Sequence, residues 1–248
     1  VRPELATILA RPIAHRGLHD AGRGAIENSL AAAEAAVAGG YGIECDVQLT
    51  GDSEAVVFHD ETLDRLTSET GPVSARTAAE LEAIGLKGGG DSIPTLSAFL
   101  AAIAGHVPLV IEIKSLGDGD LRLAGRTAAL AAAYRGPVAL KSFDPAIIAH
   151  CRALGAVCPL GLVGPEQPGA AAPPEGFYDF LSWHIGELSS LRAARPTTPL
   201  MSWTVRSEDE HELAKSLGSQ IVFERYRPAP KRFPLGWNHP SDKKPLSL

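Results

Sequence analysis

Short apolar, β-prone runs begin near Pro12, Tyr41, Pro108, Pro137, Cys158, Tyr178, Pro199 and Gln220, and from Thr95 onward they alternate with stretches of helical period. Helices are expected over residues 26–38, 96–104, 120–133, 145–154, 187–194 and 208–217. The first is Ala-rich, with Leu30, Ala33 and Val37 on one face, and Gly39-Gly40 suits its end. Eight strands interleaved with helices in 248 residues predict an α/β chain folded as a (β/α)8 TIM barrel, one domain over 1–248. A doubly wound open sheet is the competing arrangement, but no Gly-x-Gly-x-x-Gly opens the first helix.

Two segments break the rhythm. Residues 51 to about 92 read as a small insertion between the second strand and its helix, placed over one rim of the barrel. Within it Thr77 and Glu80 make a capping box for a short helix through Ile84, and Lys87-Gly-Gly-Gly90 reads as a flexible return. A Pro/Gly/Ala loop is expected at 164–174. The tail from about 227 to 248 carries Pro228, Pro230, Pro234, Pro240 and Pro245 and is expected to wrap the surface or fray.

Composition removes several function classes. A net charge of -6 gives no basic face for nucleic acid. No apolar run approaches the ~18 residues of a spanning helix, so no transmembrane segment is expected. Residues 1–14 lack a basic region followed by an apolar stretch, so no signal peptide is expected there, although a chain opening on Val leaves a leader ahead of it open. The three cysteines, Cys45, Cys151 and Cys158, are few and odd in number, which suits reduced thiols and a cytoplasmic location.

The chemistry is concentrated between Ile43 and Asp60. Ile43, Cys45 and Val47 alternate with Glu44, Asp46 and Gln48, so one strand face is apolar and the other acidic. A turn near Gly51-Asp52 leads to Ala55-Val56-Val57-Phe58, and such a hairpin pairs Asp46 with about residue 57 and Glu44 with about residue 59. His59 is thereby carried back to the acids. Two like charges ~4 Å apart repel by about 4 kcal/mol at an effective dielectric of 20, so one acid is protonated or a cation lies between them. Carboxylates without Cys or His partners favour a hard ion, Mg²⁺ or Ca²⁺.

In a barrel of this kind reacting groups stand at the carboxyl ends of the strands. His15 and Arg16 end the first strand, Glu44 and Asp46 the second, Glu112 and Lys114 the third, Lys141 the fourth and Trp203 the seventh. Glu112 interrupts Leu-Val-Ile-Glu-Ile and is either a ligand beside Glu44 and Asp46 or one half of a structural ion pair with Lys114 or Arg16. Three carboxylates suit one divalent cation, and Arg16 and Lys114 suit an anion. His15 and His59 can move protons near neutral pH. Together these residues point to phosphoryl chemistry.

His15-Arg16-Gly17, Glu27-Asn28-Ser29, Glu44-x-Asp46, His59-Asp60 with Leu63 and Arg65-Leu-Thr67, Glu112-Ile-Lys114 and Trp203-Thr-Val resemble the glycerophosphodiester phosphodiesterase family over about residues 13–223. The resemblance implies hydrolysis of glycerophosphodiesters, small-molecule substrates, to glycerol 3-phosphate and an alcohol with Ca²⁺ or Mg²⁺, by way of a cyclic phosphate that water opens. It makes His15 and His59 the acid/base pair, Glu44, Asp46 and Glu112 the metal ligands, and Arg16 and Lys114 the phosphate contacts. Trp203 then lines the glycerol side, while Glu27 and Asn28 either buttress the site or cap the helix that follows. Two other functions compete: transfer within lysophospholipids that releases the cyclic phosphate as product, and phosphodiester binding without catalysis. Against the family pattern, Phe223-Glu224 replaces a usual Thr-Asp, Arg206 a common Asn, and Lys141 a frequent neutral residue. All three are expected at the mouth, shaping headgroup choice without touching the core chemical set.

Overall fold

The structure, a computed structural model, describes residues 3–164, 174 and 176–229. Most of the loop expected at 164–174, and the Pro-rich tail beyond residue 229, lie outside the described residues. In chain order the elements are α1 (Pro3–Ile8), β1 (Ile13–Ala14), α2 (Leu30–Gly39), β2 (Gly42–Leu49), β3 (Ala55–Val57), α3 (Ala78–Glu82) and α4 (Leu96–Ile103). There follow β4 (Leu109–Ile113), α5 (Arg122–Ala133), β5 (Val138–Ser142), α6 (Pro145–Ala153), β6 (Leu160–Gly164) and β7 (Phe180–His184). The last are α7 (Leu188–Ala194), β8 (Leu200–Val205), α8 (Glu208–Ser216) and β9 (Ser219–Phe223).

Apart from β3, the strands run parallel in the order β1-β2-β4-β5-β6-β7-β8-β9, and β1 pairs with both β2 and β9. The sheet therefore closes into the eight-stranded barrel expected, and the open doubly wound alternative is excluded. Closure rests on two residues of β1: Ile13 lies opposite Gly42 and Val222, and Ala14 opposite Ile43 and Phe223.

Strand alternation sorts the side chains. Ile43, Cys45, Val47, Ile111, Ile113 and Leu140 face outward into the main core, against Phe99, Ile103 and Ala124 of α4 and α5. Inward, the bottom of the barrel is apolar: Ile13, Val110, Ala139, Phe180, Met201 and Val222 form one cluster. A Cβ on Gly161 would come within 2.2 Å of the Phe180 ring, so a glycine on β6 makes room for an aromatic on β7. Helix α1, not anticipated from the sequence, closes this end by adding Leu5 and Ile8 to the cluster. Its signal is only two apolar residues in a short turn of helix, too little periodicity to register.

Three local expectations need correction. Helix α2 starts at Leu30, capped by Ser29, whose Oγ accepts from the Ala32 N–H at 3.1 Å. It cannot begin at 26 because Asn28 has φ 61, a left-handed conformation that no helix accommodates. The hairpin is one residue out of the expected register: Val47 lies opposite Val57, and Phe58 N–H donates to Asp46 O at 3.0 Å. The helix after the Thr77 capping box ends at Glu82, not Ile84. Residues between β2 and α4 assemble their own small core, Val56, Phe58, Leu63, Val73, Leu81 and Ile93, onto which Ile26 packs from the β1–α2 connection. All three cysteines are buried and no disulfide joins them. Among the described residues no helix is long and apolar enough to cross a membrane.

The closing role of α1 makes a prediction. Ile8 is wholly buried, so Ile8→Ala should cost about 2–5 kcal/mol in chemical denaturation. Leu154→Ala, at an exposed position, should stay within about 0.5 kcal/mol of the parent.

Candidate active site

Above the apolar floor, the inward positions at the carboxyl ends of the strands are charged. Glu44 and Asp46 come from β2, Glu112 from β4 with Lys114 just beyond it, and Lys141 from β5. The sheet register sets Asp46 beside Glu112 and Glu112 beside Lys141. Glu44, Asp46 and Glu112 each offer a carboxylate oxygen, and these atoms lie within 4.8 Å of one another. Glu44 is 0% exposed, Asp46 1% and Lys141 2%, so water does little to screen their charges.

The cations between the acids are ammonium groups. Lys114 Nζ lies 2.8 Å from Asp46 Oδ1 and also bonds Glu112 Oε1. Lys141 Nζ lies 2.9 Å from Glu112 Oε2 and 3.0 Å from Glu44 Oε1. The second of these is an ion pair without hydrogen-bond direction, and Glu44 Oε1 is left buried with no hydrogen-bond partner. Arg16 Nε stands 3.3 Å from Asp46 Oδ2. Burial alone would raise the Asp46 and Glu112 pKa values, but Lys114 and Arg16 beside the first, and Lys141 and Lys114 beside the second, bring both below the ordinary value. Burial would lower the lysines, and the same carboxylates reverse that and raise both. Each group is thus held charged by its neighbours.

The β1–α2 connection clamps this cluster from one side. Asn28 Nδ2 donates to Asp46 Oδ2 at 3.0 Å, and Asp46 N–H donates back to Asn28 Oδ1 at 3.2 Å. Arg16 N–H donates to Glu44 Oε2 at 3.1 Å. Gly17 has φ 78, and a Cβ there would lie 2.8 Å from Ala32 backbone, so glycine after Arg16 is required by both strain and space. Glu27 does not cap α2. Its carboxylate ties Arg16 (2.6 Å) to Arg65 (2.7 Å).

The two histidines are held alike. His15 Nδ1 lies 2.8 Å from Glu224 Oε2, and His59 Nδ1 lies 2.8 Å from Asp60 Oδ1. A carboxylate only accepts, so each Nδ1 carries the proton and the neutral ring keeps Nε2 as an acceptor. His15 Nε2 points to the acids, 4.0 Å from Glu44 Oε2. Each carboxylate is in turn fixed by an arginine: Arg206 Nε lies 2.8 Å from Glu224 Oε1, and Arg65 Nε 2.6 Å from Asp60 Oδ2. Glu224, hydrogen-bonded by His15 and with His19 Nε2 3.7 Å away, is held well below the usual carboxylate range. Gln48 Nε2 donates to His59 O at 2.9 Å and fixes the bend that presents this histidine.

The structure thus gathers His15, His59, Arg16, Glu44, Asp46, Glu112 and Lys114 at one mouth, with Glu27 and Asn28 behind them. Trp203 lies at its far side, donating from Nε1 to Ser182 O at 3.1 Å and packing edge-on against Phe143 and His184. A cleft of about 1310 Å³ runs over Gln48, His59, Glu112, Lys114, Phe143 and Trp183. The expectation that none of these departures touches the core set fails for Lys141 and Glu224. Lys141 is within the acidic cluster, Glu224 anchors His15, and Arg206 anchors Glu224. Their signal was present as charge at the inward ends of β5 and β9, but pairing across 209 residues, as between His15 and Glu224, has no local trace. Asp60 and Arg65 likewise read only as motif, without the link from His59 through Asp60 to Arg65.

The Asp60 contact yields a pH prediction. Hydrogen bonds from Arg65 hold the Asp60 carboxyl at about 2, below its ordinary 3.8. A depressed folded-state value adds stability that is present above the ordinary value and lost as pH falls through the folded one. The gap in thermal midpoint between the parent and Asp60→Asn should therefore be full above pH ~4 and close as pH approaches ~2.

A sequence model of the glycerophosphoryl diester phosphodiesterase family matches residues 15–224. A glycerophosphodiester phosphodiesterase of Caldanaerobacter subterraneus subsp. tengcongensis is 44% identical over 111 residues, 42% of this chain and 44% of that protein. Human glycerophosphodiester phosphodiesterase 1 is 49% identical over 61 residues, 24% of this chain and 17% of that protein. The matched stretches thus span less than half of these curated relatives' length. Among solved structures, a glycerophosphodiester phosphodiesterase of Parabacteroides distasonis superposes with TM-score 0.73 at 22% identity, covering 86% of this chain and 92% of its own. An Oleispira antarctica phosphodiesterase, solved with the product sn-glycerol-3-phosphate, superposes with TM-score 0.71 at 23% identity, covering 86% and 91%. These structures share the fold, and the sequence match takes in every candidate residue from the first histidine to the carboxylate that anchors it: the chain belongs to the glycerophosphoryl diester phosphodiesterase family.

Proposed function

We propose that this chain hydrolyses glycerophosphodiesters to glycerol 3-phosphate and a free alcohol. One observation carries the reading: two histidines, each oriented by a carboxylate on Nδ1, flank a buried cluster of acids and cations. Family membership supports it, as does the glycerol 3-phosphate held by the Oleispira antarctica protein of the same fold.

Glu44, Asp46 and Glu112 would hold one divalent cation, Mg²⁺ or Ca²⁺. Their all-oxygen donor set suits a hard ion, and the buried, orphaned Glu44 Oε1 is a lone pair available to one. Such an ion, when bound, neutralises charge on a phosphoryl oxygen. Lys114 and Arg16 attract the diester anion to the same place, and Trp203 lines the glycerol side of the cleft.

The proton bookkeeping falls to the histidines. The Nε2 of one neutral ring accepts the proton of the attacking hydroxyl as its oxygen bonds phosphorus. The other histidine, entering the step as imidazolium with both nitrogens protonated, delivers its Nε2 proton to the alcohol oxygen as the old P–O bond breaks. Glu224 and Asp60 stabilise each imidazolium as it forms. Attack by a glycerol hydroxyl gives a cyclic phosphate, and a second round with water opens it, so that one water is consumed in all. Three thiols without a disulfide support a reducing compartment such as the cytoplasm.

A panel of choline, ethanolamine, glycerol and inositol glycerophosphodiesters, assayed by phosphorus NMR with Mg²⁺ and with Ca²⁺, tests the reading. Glycerol 3-phosphate should be the final product. Cyclic phosphate that accumulates unopened would transfer the chain to the intramolecular class, and no turnover at all would leave only binding. His15→Ala and His59→Ala should each lose about 10²–10⁴ in rate.

A further inference from the structure

Among the acids of the mouth, Glu44 and Glu112 share a cation that belongs to the chain. Lys141 Nζ lies 3.0 Å from Glu44 Oε1 and 2.9 Å from Glu112 Oε2, and the side chain is 2% exposed. It stands on β5, whose register sets it directly beside Glu112, so the ammonium reaches both carboxylates from a rigid strand. With Lys114 and Arg16 included, three positive charges already face the three acids. An added dication would face the Lys141 ammonium through the very oxygens that it needs.

We infer that Lys141 acts as a built-in counter-ion of the Glu44–Glu112 pair, which keeps the empty acidic cluster folded and weakens its hold on a divalent cation. The inference rests on the reading of Glu44, Asp46 and Glu112 as the cation's ligands. It concerns a residue outside that ligand set, whose charge tunes the affinity of the site. The orphaned Glu44 Oε1 fits this arrangement. Lys141 neutralises its charge without supplying a directed hydrogen bond, so an ion can still enter, against local repulsion.

The test compares the parent with Lys141→Met, which keeps the length and apolar stem of the side chain and removes the charge. Calorimetric titration with Ca²⁺ or Mg²⁺ alone should show the ion bound at least about tenfold tighter by the variant, because a like charge within a few ångströms has gone. In EDTA the variant should melt about 5 °C or more below the parent, since two buried carboxylates lose their partner, and saturating Ca²⁺ should restore most of the loss. Lys141→Gln, a neutral donor, should follow the Met variant in both measurements, and it carries the titration should Lys141→Met fail to fold. Equal affinities in parent and variants, or melting in EDTA that is unchanged, would overturn the inference and leave the ligand assignment standing. No binding of either ion by parent or variants would overturn the ligand assignment and the inference with it.

Discussion

Six charged side chains meet at the carboxyl end of this barrel, Glu44, Asp46, Glu112 and Lys141 buried and Arg16 and Lys114 partly exposed at the mouth. Transfer of any one of them alone to such a place would cost several kcal/mol, and only mutual pairing offsets that. The arrangement is therefore collective. Asp46 is the hub, touched by Lys114, Arg16 and both atoms of the Asn28 amide, while Glu112 is bridged by two lysines. Removing a single buried member leaves its partners charged and unpaired, which is the costly way to break such a cluster.

That geometry is imposed by the barrel. Alternation along each strand puts every second residue inside, and the inner positions change character with height. Val110, Ala139 and Met201 give way to Glu112, Lys141 and Trp203 two residues later on β4, β5 and β8. The apolar floor, closed from below by Leu5 and Ile8, leaves the charged layer open only toward the mouth. The outer face of the same strands packs on the helices through Ile43, Cys45 and Ile111, which holds the registers that set Asp46 beside Glu112 beside Lys141.

How much of this could be read in advance follows from the range of each interaction. The eight strands, the inward acids of β2 and β4 and the capping box at Thr77 are local patterns, and they were legible. The start of α2 was not, because Asn28 carries an αL conformation whose cause is the clamp on Asp46, eighteen residues away. The repulsion between Glu44, Asp46 and Glu112 was legible as a demand for a cation. The identity of the cation was not, since Lys141 lies on a different strand and meets the acids only through sheet register. Glu224 reads as a departure at the rim because barrel closure sets β1 beside the last strand without saying which side chains meet there.

That last pairing ties the proposed chemistry to closure of the fold. His59, Asp60 and Arg65 lie within seven consecutive residues and can find one another within a single loop. His15 and Glu224 belong to opposite ends of the barrel sequence, and they meet because β1 and β9 are neighbours at the seam. His15 N–H donates to Phe223 O at 2.9 Å, continuing the β1–β9 ladder by one step, and the His15–Glu224 contact is the next link of the same seam. Since β1 has only two paired residues, this hydrogen bond adds an attachment where the strand itself supplies few. The two histidines thus differ in what supports them: one is presented by a local loop, the other only by a barrel that has closed.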